Sequence, residues 1–162
     1  MVIYLQLKPY VAQWCVHECG DPITGAVRFP KGSAENGILE MFLSLPPRGK
    51  SPDLPGNGRI AIDVPSFRAK PAPHYWYLGK KAKDLLRSTI DTRMKLQFWQ
   101  DMHRFENLDV ELSSLIYSWM EKNGISNDDD RAFECLRQHY YRLRKRYHET
   151  CVKNELKRTE NK

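Results

Sequence analysis

Apolar residues recur along the chain in two rhythms, and the rhythm changes near residue 79. Before that point the apolar runs are short. Val2–Leu7 alternates, is rich in β-formers and predicts a strand. Pro9 suits a first helical turn, so a helix is expected over Tyr10–Cys19, stopped by Gly20. Val27–Phe29 predicts a second strand, closed by the turn Pro30-Lys31-Gly32. Ser33 is placed as the N-cap of a helix over Ala34–Leu45, with Ile38, Leu39, Phe42 and Leu45 as its apolar stripe. Residues 46–58 hold four Pro and three Gly, which predicts an exposed loop. Arg59–Val64 alternates again and predicts a third strand. Pro65–Tyr77 is irregular and carries the aromatic run His74-Tyr75-Trp76-Tyr77.

From Gly79 onward the rhythm is helical. Ala82, Leu86, Ile90, Met94, Phe98, Met102 and Phe105 mark one long amphipathic helix. A second spans about Val110–Asn123, with Leu112, Leu115, Ile116, Trp119 and Met120 inward and Gly124 as its stop. A third follows Asn127, with Asp128, Asp129 and Asp130 in its first turn, where carboxylates suit the positive end of the helix dipole. It runs to at least Tyr147, and Phe133, Leu136, Tyr140, Leu143 and Tyr147 form its seam. The expected fold is α+β. Residues 1–78 form an N-terminal part of three short strands and two helices, residues 79–149 a three-helix unit of helix-turn-helix type, and residues 150–162 a frayed tail.

A chain of 162 residues can bury a real core without disulfides. Its four cysteines (Cys15, Cys19, Cys135, Cys151) are too few for a disulfide scaffold and read as reduced thiols. No apolar run approaches the roughly 20 residues of a membrane span, and residues 1–7 lack the features of a signal peptide. A cytoplasmic protein without membrane contact is the expectation.

Charge changes the picture more. The net charge is +6, and it is unevenly placed. Residues 1–58 are balanced, 59–104 carry +6, 105–130 carry −6, and 131–162 carry +6 again. The last block is interleaved with aromatics in His139-Tyr140-Tyr141-Arg142-Leu143-Arg144-Lys145-Arg146-Tyr147. Guanidinium forks beside stackable rings suit a polyanion with base faces. Arg137, Tyr141, Arg144 and His148 form a stripe rotated about 100° from the seam. With Arg142, Lys145 and Arg146 they are the candidate DNA-contacting residues. Lys80, Lys81 and Lys83 extend the surface, since three lysines at a helix start oppose the dipole unless they meet anions. Those anions are either phosphates or the acidic block at 105–130.

Other chemistry is thinner. Cys15 and Cys19 lie one helical turn apart, and Cys135/His139 repeat the spacing, so four ligands exist for zinc without a knuckle to bring them together. Asp63, Lys70 and Asp53 are the residues a metal-dependent nuclease would draw on, short of the converging acids such a site needs. His139 and Arg142 match an H-x-x-R fragment of strand-exchange recombinases, but Tyr147 belongs to the seam and cannot serve as its nucleophile. Nucleophile elbows and phosphate-binding glycine loops are absent. No catalytic residue, cofactor or metal is assigned.

The segments YLQLKPYVAQW, VRFPKGSAENGILEMFL, GRIAIDVPSFRAKP, LIYSWMEKNGI and YYRLRKRY resemble a family of uncharacterised proteins carried on bacterial prophages and conjugative elements, across about residues 3–148. The resemblance implies a small intracellular protein acting in the DNA transactions of a mobile element, and it carries over no functional residue. The function expected is double-stranded DNA binding, regulatory or accessory to replication or transposition and without enzymatic activity. The alternatives are a protein–protein adaptor of such an element and the metal-dependent nuclease.

Overall fold

A computed structural model describes residues 1–105, 109–128 and 130–160, with backbone alone for 155–160. The chain is α+β. Two strands, β1 (Val2–Gln6) and β2 (Arg59–Asp63), and five helices follow in the order β1, α1 (Pro9–Cys19), α2 (Ala34–Phe42), β2, α3 (Lys80–Arg104), α4 (Leu112–Lys122), α5 (Asp130–Glu160). No helix among the described residues is long and apolar enough to cross a membrane.

The strands pair antiparallel, with Ile3 opposite Ile62 and Leu5 opposite Ile60. The period of two puts all four side chains on one face, and all four are buried. Val27, expected to open the second strand, forms only isolated bridges, to Gly20 and to Ile62. Its N–H donates to Ala61 O at 2.8 Å, and its carbonyl accepts from Asp63 N at 2.9 Å. The turn built on Asp21, whose Oδ1 accepts from Ile23 N and Thr24 N, and Pro30 leave too little extended chain for more.

Two compact units divide the described chain, one comprising Met1–Met94 with Asn123–Ile125 and the other Lys95–Lys122 with Ser126–Lys162. The boundary therefore falls inside α3 rather than at residue 78. Ala82, Leu86, Ile90, Met94, Phe98 and Met102 form one buried row along that helix. Each of the larger side chains in it contributes roughly 1.5–3 kcal/mol when taken out of water. No polar break in this row marks a boundary.

In the first unit, α1 starts at Pro9 as expected and buries Tyr10, Val11, Trp14 and Cys15. The Ser33 Oγ caps α2 by accepting from Asn36 N at 3.2 Å. The buried face of α2 differs from the expected stripe. Glu35, Asn36, Leu39 and the following Leu43 are buried, whereas Phe42 and Leu45 are exposed, so the helix is turned by roughly a quarter turn. The cause is Glu35, whose carboxylate meets Arg93 at 3.5 Å. The helix also ends earlier, at Phe42, where the Lys70 ammonium donates to the carbonyls of Glu40 at 2.7 Å and Met41 at 2.8 Å.

The second unit packs the end of α3 against α4 and α5. Phe98 meets Trp119 edge to face at 4.9 Å, and the indole N–H donates to Asp101 Oδ2 at 2.9 Å. Ile116, Met120, Ala132, Leu136 and Tyr140 complete the core. Gly124 ends the α4 turn at φ +69°, a conformation costly for any side chain. Helix α5 continues through Glu160, well into the 150–162 stretch expected to fray.

Candidate nucleic-acid interface

Burial along α5 stops long before the helix does. Ala132, Leu136 and Tyr140 are buried, Leu143 is half-buried, and Tyr147, the last seam position, is 43% exposed. From Tyr141 to Asn154 every residue is exposed except Leu143 and Cys151, which are intermediate. This half of the helix holds Arg142, Arg144, Lys145, Arg146, His148 and Lys153. It is therefore an arm rather than a core element.

Helical geometry distributes those charges more widely than a single stripe. At about 100° per residue, Arg144 and His148 lie on one flank of the seam, Arg142, Arg146 and Lys153 on the other, and Lys145 opposite it. Arg142, Lys145 and Arg146 make no ion pair among the described residues, although the Arg142 Nε–H donates to Gln138 O at 3.3 Å. Arg137 is different. It pairs with Glu134 at 2.9 Å and its guanidinium lies 6.0 Å from the Phe133 ring centre, which stacks on Tyr117 at 4.4 Å. The Arg137 hydrogen bonds hold the Glu134 carboxyl below its usual pKa. Arg137 thus braces the α4–α5 contact and belongs less to the arm than the sequence suggests.

The lysines at the start of α3 divide in the same way. Lys80 and Lys81 are exposed. Lys83 is not available, since its ammonium is bound to the Asp53 carboxylate, with Lys50 at 3.8 Å from the other oxygen. That hydrogen bond is the main reason the Asp53 pKa is lowered. Neither phosphate nor the 105–130 block is needed to explain Lys83. Of the acidic first turn expected for α5, Asp128 and Asp130 are exposed and Asp129 lies outside the described residues.

The residues considered for metal chemistry are engaged elsewhere. Asp63 binds Arg28 at 2.7 Å and the N-terminal ammonium at 3.9 Å, Lys70 holds the end of α2, and Asp53 holds Lys83. No group of three His, Cys, Asp or Glu among the described residues could hold a metal ion. In the first unit a cleft of about 540 Å³ opens between β1, α1 and α3. Its Arg87 is tied to Gln6 O and Asp84, so its most prominent cation is occupied.

The four thiols are free and their settings differ. Cys15 is buried, and desolvation, reinforced by Cys19 and Glu35, pushes its pKa from 9.0 to about 12. Burial also raises Cys19, against the opposing pull of Arg93. Cys135 is exposed. A thiol-specific disulfide reagent at neutral pH should therefore modify Cys135 first and leave Cys15 intact until urea unfolds the chain, as peptide mapping would read. Early loss of Cys15 would contradict this packing. The same shift gives a sign in alkali. The neutral thiol is what the fold favours, so its stabilisation is complete below pH 9 and is lost as pH rises from about 9 toward about 12.

No protein-family model, curated protein or solved structure matches the chain.

Proposed function

We propose that this protein binds double-stranded DNA through the exposed half of α5, as a non-enzymatic regulatory or accessory factor of a mobile genetic element. The observation that carries the reading is the arm itself. Between Tyr141 and Asn154 this largely exposed helix holds six basic side chains, His148 counted, around its circumference against one acid, Glu149. The major groove is about 12 Å wide and admits an α-helix. Bases on both flanks of such a helix reach the phosphates of both strands, which one stripe would not. The order α4, turn, α5 is compatible with a helix-turn-helix. The contact proposed lies in the middle and C-terminal half of α5, because Asp128 and Asp130 repel phosphate from its beginning.

Fluorescence anisotropy with a labelled duplex tests this directly. Four phosphate contacts, from Arg142, Arg144, Lys145 and Arg146, give a log–log salt slope near −3.6 and a loss of about 150-fold between roughly 50 and 200 mM salt. A flat response, or no binding at low salt, would end the reading.

One observation favours a second reading, the protein–protein adaptor. Rotation of α2 leaves Met41 72% exposed beside the exposed Phe42 and Leu45. Such an apolar group is a docking feature when contiguous. The adaptor reading requires capture of a specific partner that survives nuclease and high salt.

A further inference from the structure

Two tyrosines on the arm are held in a way that charge alone does not call for. Tyr141 is 52% exposed, and its ring stands edge-on to the buried Tyr140 at 5.9 Å and 65°. Tyr147 is 43% exposed, and its ring stands edge-on to His103 at 4.9 Å and 63°. His103 in turn stacks on Trp99 at 5.3 Å and 24°, and Trp99 lies 6.3 Å from Tyr147. Each exposed ring is therefore braced at its edge by a more buried aromatic. Such packing restrains each ring while about half of it stays exposed, and the His148 ring stands against Tyr147 as well, at 5.9 Å.

Arg144 sits midway between them. Positions 141, 144 and 147 are three residues apart, so Arg144 lies about 4.5 Å along the axis and about 60° around it from each tyrosine. Lys145 and His148 adjoin the same surface. Ring, cation, ring, over about 9 Å of helix, matches one nucleotide step or two of an extended strand, a base at each end and phosphate between. Duplex DNA cannot use the rings, because its base faces are already stacked. Phosphate binding alone gives no reason for two braced and solvent-facing aromatics.

We propose that Tyr141, Arg144 and Tyr147 form a subsite for unpaired DNA, stacking two bases of a single-stranded segment next to the duplex held by the same arm. The inference rests on the DNA reading above and adds a substrate class to it, namely duplex ends with an overhang, forks and gaps. The partner is recognised by base faces and phosphate together, so sequence preference at these bases is weak.

The test compares one blunt duplex with the same duplex carrying a three-thymidine 3′ or 5′ overhang, in anisotropy titrations with the full chain. The overhang should tighten binding by about tenfold or more, since each stacked base is worth several-fold or more. Tyr141→Ala and Tyr147→Ala should each remove much of that gain, measured against the same variant's own blunt-duplex affinity, and Tyr141→Phe and Tyr147→Phe should keep it. A Trp99→Phe variant reports independently, because quenching of tryptophan emission on adding the overhang substrate should fall when Trp99 is absent. Equal affinity for blunt and overhang substrates overturns the subsite and leaves the duplex reading standing. Equal loss in the Ala and Phe variants overturns it too, because it would place the effect in the hydroxyl rather than the ring. Failure of the wild-type chain to bind the blunt duplex at low salt is the separate result that sinks the DNA reading.

Discussion

Replacing Arg142, Arg144, Lys145 and Arg146 together by glutamine should weaken binding to blunt duplex DNA by about 5 × 10⁴-fold at about 50 mM salt and flatten the salt slope toward zero. The magnitude follows from counterion release. Four neutralised phosphates contribute a factor that varies as the 3.6 power of salt concentration and vanishes near 1 M. The fold should survive. All four side chains are exposed, and the buried contacts of α5 are made by Ala132, Leu136 and Tyr140. Removing the like-charged Arg142/Arg146 pair, four residues apart, favours the helix slightly. The far-UV circular dichroism of the variant should therefore match that of the parent. Affinity within tenfold of the parent would mean that another surface holds the DNA, with the exposed Lys80 and Lys81 the first to examine.

What the sequence shows and hides about this arm has a physical pattern. The seam Phe133, Leu136, Tyr140, Leu143 and Tyr147 is regular to its end, and periodicity reports only which residues share a face. It does not report where the opposing surface stops. Beyond Tyr140 the opposing surface narrows to His103 and Trp99, so Tyr147 reads as buried in the sequence and is 43% exposed in the fold. The basic flank was legible because its residues are close in sequence. The loss of Lys83 to Asp53 was not, since that pair joins positions 30 apart through a Pro/Gly-rich loop. Arg137 was half legible, because Glu134 at i−3 is a local partner that sequence alone can show.

The same contrast runs through the fold. Helix α3 was readable because its buried row needs no information beyond its own spacing. The strands β1 and β2 were readable from alternation, and the Ser33 cap from residue type. The strand expected at Val27–Phe29 failed because isolated bridges at Val27 leave no period to detect. Helix α2 failed for a different reason. Its orientation is decided by a buried carboxylate whose partner lies 58 residues later, and apolar periodicity then points to the wrong face.

That pair carries a large expected effect on stability. Glu35 is 2% exposed, and its carboxylate lies 3.5 Å from the Arg93 guanidinium. Arg93 also lies 5.8 Å from the Trp14 ring centre and 4.0 Å from the Cys19 sulfur. Burial opposes the guanidinium charge, and the attraction of Glu35 and Cys19 outweighs it, so the Arg93 pKa is raised. Arg93→Met keeps much of the packing volume but strands the Glu35 charge. Stranding a buried charge costs about 3–5 kcal/mol when no water reaches it. The Arg93 side chain is 36% exposed, so solvent softens the penalty, and about 2–3 kcal/mol is the discounted figure. For a chain of this size that is a fall of about 5–10 °C in Tm. Adding Glu35→Leu to Arg93→Met should restore most of the loss, because an apolar pair leaves no charge to solvate. Thermal and urea unfolding of the two single variants and the double variant measure the coupling. If the double variant is as unstable as Arg93→Met alone, the contact of Arg93 with Trp14, and not its charge, holds α2 in place.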